Sequence, residues 1–172
     1  MEPTPTDDLS EADLAARGLS RETDIVLDAR GRFLVAGVPF EHEGLAETFA
    51  GWLDRAPDGR YALRNDLHWV YLTVEGAPLH ARRAEVAGDE VTLVLHAGER
   101  APLRPETLRA GPDGALYADV RDGTWAARLS PEAALDLAPL LVEHEGGVAL
   151  RLGGRAHPIA QVDDPLAPAR GA

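Results

Sequence analysis

Cysteine is missing from the sequence, and its absence excludes disulfides, thiolate metal sites, iron–sulfur ligation and a cysteine nucleophile together. Lysine is missing too, and asparagine and glutamine occur once each, as Asn65 and Gln161. With Ala, Gly, Pro, Leu and Arg abundant, this bias reads as the codon supply of a bacterial genome rich in G and C. The 17 basic residues are thus all arginine without implying bidentate recognition. Positive charge is scarce, since the net charge is −12. Nucleic acid is not an expected partner, because phosphate contacts need a concentrated basic surface. No apolar run approaches the roughly 20 residues of a membrane-spanning helix. The acidic start MEPTPTDDLSEAD does not read as a secretory signal, so a cytoplasmic protein off the membrane is expected.

What is present is a pattern that recurs. DIVLDARGRFLVAGVPF (24–40) alternates apolar and polar residues around a turn at Asp28–Gly31, and residues 106–129 offer a second such hairpin in which Gly31 matches Gly114 and Phe33 matches Leu116. Leu45, Phe49, Trp52 and Leu53 then mark one helical face, repeated at an offset of 88 by Ala133, Leu137, Leu140 and Leu141. Ser130-Pro131-Glu132 supplies an N-cap and an N1 proline, while Pro139 predicts a kink or early break. Ala-Leu-Arg follows each helix, at 62–64 and 149–151. The fold class expected is α+β, with two tandem related units, each an antiparallel sheet packed around one helix.

Residues 68–99, rich in β-branched and aromatic side chains and broken by short turns, are expected to add antiparallel strands. LSEADLAARG reads as a short helix capped by Ser10 and stopped by Gly18. The resulting division is an N-terminal segment (1–23), a first unit (24–100), a second unit (101–162) and a flexible tail (163–172).

The ordered set DIVLDARGRFLVAGVPF, DGRYAL, VEGAPL, PDGALY, ARL and LGGRAHPI resembles the bacterial domain-of-unknown-function family numbered 1285, over about residues 24–162. VEGAPL (74–79) stands where that family usually has a Val-Glu-Asp-Ala-Pro-Phe type of segment. The resemblance implies paired α+β units and a role in regulation or signalling.

Candidate chemistry is sparse. Ser10, Ser20 and Ser130 lie in no Gly-x-Ser-x-Gly elbow, and no GxGxxG or Walker pattern occurs. Glu-His-Glu-Gly appears at 41–44 and 143–146, but at different places in the repeat, which favours solvated charge at helix ends over a metal site. His68, His80 and His96 fall on expected strands. The leading reading is a non-enzymatic module that binds a ligand or protein, with no metal and no cofactor. Its recognition groove is expected between the units, from Trp69, Tyr71, Glu75, Pro78, His80 and Arg128. An enzyme, either metal-dependent through the Glu-His-Glu segments or acid–base through Glu75 with His80, is the second reading, and a homodimer joined through exposed strand edges is the third.

Overall fold

The computed structural model describes residues 9–169, so expectations about residues 1–8 and 170–172 lie outside the described residues. The chain divides into two units between Gly76 and Ala77.

In the first unit, α1 (Glu11–Ala16) begins with a reciprocal capping box. The Ser10 hydroxyl accepts from the Asp13 amide, and the Asp13 carboxylate accepts from the Ser10 amide. β1 (Ile25–Leu27), β2 (Phe33–Val35) and β3 (Val38–Pro39) follow as a meander. The β1–β2 turn is tied by Asp28, whose Oδ1 accepts from the Arg30 and Arg32 amides at 2.9 Å each. Ala36 and Gly37 take φ of 51° and 78°, the two left-handed residues of a tight hairpin, so the strands keep their right-handed twist. α2 (Glu43–Trp52) leads into the meander β4 (Leu53–Arg55), β5 (Tyr61–Arg64) and β6 (Trp69–Tyr71). β7 (Thr73–Val74) then returns to pair with β1 in parallel.

The second unit opens with β8 (Leu79–Ala81) and the three-stranded meander of β9 (Arg83–Ala87), β10 (Glu90–Val94) and β11 (Arg100–Pro102). β12 (Arg109–Ala110), β13 (Leu116–Val120) and β14 (Trp125–Leu129) form the next meander. α3 (Pro131–Leu137) packs on β9, and β15 (Leu141–His144), β16 (Gly147–Leu152) and β17 (Arg155–Pro158) complete a further meander. β18 (Ala160–Gln161) pairs with β12 in parallel.

The two units are related in register as well as in order. Leu27 pairs with Phe33 as Ala110 pairs with Leu116, and Leu53 pairs with Leu63 as Leu141 pairs with Leu150. The closing strands agree too: β7 lies parallel to β1 as β18 does to β12. Single hydrogen bonds repeat: Glu75 N–H to the Leu27 carbonyl matches Val162 N–H to that of Ala110, both at 2.9 Å.

Several details depart from the sequence reading. The units divide at 76/77 rather than 100/101, because β8 pairs with β14 and the β9–β11 meander supports α3. Three strand pairs are parallel, since each joins segments far apart in sequence, with the intervening elements serving as the crossover. The helical face expected over Leu45, Phe49, Trp52 and Leu53 is narrower than its periodicity: Leu45 is 42% exposed, Phe49 and Trp52 are half-buried, and Leu53 already starts a strand. Phe49 instead anchors an aromatic group, with ring centroids 5.7 Å from Phe33, 5.0 Å from Phe40 and 5.6 Å from Trp52. In the matching pattern, Ala133 and Leu137 of α3 are fully buried, while Leu140 and Leu141, which lie beyond its end, are half-buried. The expected break falls before Pro139, where a 3-10 turn, Ala138–Leu140, replaces the α-helix. Residues 163–169, read as tail, are held by Arg109 and Asp119: the Pro165 carbonyl accepts from the guanidinium, and the Ala169 amide donates to the carboxylate at 2.7 Å.

Ser130 stands at the centre of local order in the second unit. Its hydroxyl accepts from the Ala133 amide at 3.0 Å and donates to the Arg82 carbonyl at 2.9 Å. Ser130→Ala is expected to lower stability by about 1 kcal/mol, the usual cost of a lost N-cap, read as a shift of the urea midpoint at unchanged slope. No shift would show that Pro131 alone starts the helix.

Candidate functional site

The six residues singled out from the sequence divide evenly between the units. In the first, β6 places Trp69 and Tyr71 on one face, their rings edge to face at 5.1 Å. Trp69 is buried, its carbonyl accepts from Arg21 at 2.9 Å, and the Arg21 guanidinium lies 3.8 Å from its ring centroid. Tyr71 donates its hydroxyl proton to Asp58 at 2.9 Å and lies under Arg60, 3.6 Å from its ring centroid. That hydrogen bond to an ionised carboxylate raises the phenol above its ordinary range. Glu75 is exposed, and its position is fixed by its backbone bond to Leu27.

In the second unit, Pro78 and His80 are buried, and parallel pairing sets His80 opposite Arg128. The His80 Nε2–H donates to the Ala77 carbonyl at 3.1 Å. Arg128 donates to Asp113 at 3.1 Å, and Tyr117 donates to the same carboxylate oxygen at 3.2 Å. Partial burial opposes the charge of Arg128, but its hydrogen bonds to Tyr117 and Asp113 outweigh that and raise its pKa. The structure therefore brings Trp69 to Tyr71 and His80 to Arg128.

His68 and His96, expected on strands, lie outside them: His68 just precedes β6, and His96 opens a 3-10 turn, His96–Gly98. Its Nδ1 accepts from Arg82 at 2.7 Å. Burial, and next the Arg82 charge, push this imidazole down to about 4. The unfolded chain then binds a proton that the folded one refuses, so this group makes stability fall as pH drops from about 6.5 to about 4. Urea unfolding of His96→Gln should show a shallower fall over that window than the parent protein. Equal slopes would remove His96 as the cause.

One concavity that sequence reasoning missed lies wholly in the second unit. It is a cleft of about 390 Å³ between β10, the segment after β11, and the β16–β17 hairpin. Val91, Leu103 and Leu152, all buried, make its floor. Asp89, Glu90, Thr92 and His157 stand around it. Among the described residues, Asp89, Glu90 and His157 take part in no ion pair or side-chain hydrogen bond. The alternation of Glu90-Val91-Thr92-Leu93 signals one apolar and one polar strand face. What closes the cleft comes from more than 60 residues along the chain, at Gly153 and His157, so no local pattern could reveal it. Among the described residues no group of three or more His, Asp or Glu side chains is placed to hold a metal ion. No helix among them is long and apolar enough to cross a membrane.

No family model and no curated protein matches the sequence. Two solved structures do match in fold. A DUF1285 family protein from Silicibacter pomeroyi DSS-3 aligns with a TM-score of 0.64 and 24% identity, over 80% of each chain. A second, from Shewanella baltica OS155, aligns with a TM-score of 0.54 and 20% identity, over 70% of this chain and 94% of the other. The chain thus has the fold of DUF1285 family proteins, the same family that the order of VEGAPL, PDGALY and LGGRAHPI resembles.

Proposed function

We propose that this protein is a bacterial member of the DUF1285 group that acts in the cytoplasm as a non-enzymatic binding module in regulation or signalling, with the cleft of its second unit as the binding site. One observation carries the reading. The cleft joins an apolar floor to rim side chains that have no partner among the described residues. That combination suits a guest that is gripped by burial and oriented by a few polar contacts. Elsewhere in the same unit, side chains of the catalytic type are already engaged: His96 with Arg82, His80 with Ala77, and Arg128 with Asp113. The six residues from Trp69 to Arg128 take no part in this proposal, because none of them lines the cleft.

The test is a two-dimensional amide NMR titration with small aromatic and aliphatic probes at millimolar concentration. Expected are shifts that cluster at Val91, Leu103 and Gly153. Shifts scattered over both units, or none, would overturn the proposal.

A further inference from the structure

We infer that the guest of this cleft is a small compound with a cationic ammonium head and a short apolar body. The inference rests on reading the cleft as a binding site and adds its chemical class. The ionisable groups that line it are two carboxylates, Asp89 and Glu90, and one imidazole, His157, with no arginine among them. This is not a general shortage of cations in the unit. Four of its arginines are drawn into other pairs, Arg83 with Asp136, Arg100 with Glu85, Arg121 with Glu99 and Arg109 with Asp119, and Arg151 and Arg155, on β16 and β17, are not among the residues that line the cleft. Arg104 is adjacent in sequence to Leu103 of the floor, yet its guanidinium is directed to the β13–β14 turn, where a Cβ on Gly123 would stand 2.9 Å from it. The carboxylates of Asp89 and Glu90 are thus left without an internal counter-charge beside an apolar floor.

Geometry supports the same division of labour. The two-residue turn Gly88-Asp89 presents the first carboxylate, and the start of β10 presents the second beside it. Gly153 brings the opposite hairpin within reach, since a Cβ there would lie 4.0 Å from that of Asp89. A compound whose apolar body lies on Val91, Leu103 and Leu152 would set its head between these carboxylates. An anion of the same shape would meet repulsion there. A neutral one would gain the floor alone.

Phenethylamine, phenethyl alcohol and phenylacetate have matched bodies and differ in charge. Followed by amide NMR at low salt, phenethylamine should shift Val91, Leu103 and Gly153 and bind about two- to fivefold more tightly than the alcohol, the scale of exposed ion pairs. Phenylacetate should be weakest. Asp89→Asn with Glu90→Gln should abolish the advantage of the amine over the alcohol, and added salt should shrink it. Circular dichroism checks that this exposed double variant folds. Equal binding of amine and alcohol at these amides would overturn the ammonium inference and leave the cleft as a binding site. Shifts from none of the three probes would overturn the inference and the binding site together.

Discussion

Asp119→Ala is expected to cost about 3–5 kcal/mol in urea unfolding, the scale for breaking a buried ion pair from one side. Arg109 and Asp119 have side chains 6% and 2% exposed and meet at 2.9 Å. The guanidinium also donates to the carbonyls of Thr107 and Pro165, while the carboxylate accepts from the Ala169 amide. Removing the carboxylate leaves a buried cation held by carbonyl dipoles alone, which places the loss toward the lower end of that range. Arg109→Met with Asp119→Leu should recover most of it, because neither charge then has to be desolvated. Ala169 loses its acceptor in either variant, so its amide should exchange faster with solvent. A single-variant loss below about 1 kcal/mol, the scale of an exposed pair, would show that water already reaches the pair.

Leu137→Ala should be comparably severe, at about 2–5 kcal/mol, because it empties a fully buried site between α3 and β9. The related pair Leu53 and Leu141 provides a finer test. Both begin the strand after a helix and both pair with the leucine of an Ala-Leu-Arg segment, yet Leu53 is 5% exposed and Leu141 half-buried. Leu53→Ala should therefore cost about 2–4 kcal/mol and Leu141→Ala about half as much, since the penalty follows burial and residual cavity. Equal losses at 53 and 141 would mean that repeat position, not packing, sets the cost.

A prediction at the protein surface concerns Asp136. Hydrogen bonds from Arg83, first, and from the Ala84 amide hold its carboxyl down to about 2. A lowered carboxyl stabilises the fold above its unfolded value near 4, and that contribution disappears as pH falls through about 2. Asp136→Asn should thus be less stable than the parent at pH 6, with the gap closing by pH 2. A gap that persists in acid would assign the loss to altered packing.

The sequence by itself determined the elements and their order. Capping chemistry at Ser10 and Ser130, the break before Pro139, the glycines at hairpin turns and the recurring Ala-Leu-Arg are short-range signals, set by backbone sterics and by donors within a few residues. They were enough to read two related units of the α+β class. Tertiary structure alone decided what covers each element. The same helical spacing gives a half-exposed aromatic face in α2, whereas α3 buries Ala133 and Leu137 fully, because α3 has β9 against it. The unit boundary moved to 76/77 for a like reason: β8 carries no mark of its partner, which lies almost fifty residues ahead in β14. The cleft floor is likewise joined by long-range approach, since Leu152 comes from far along the chain to lie beside Val91 and Leu103. Periodicity reports which side of a strand or helix is apolar, whereas burial depends on which distant segment comes to lie on that side.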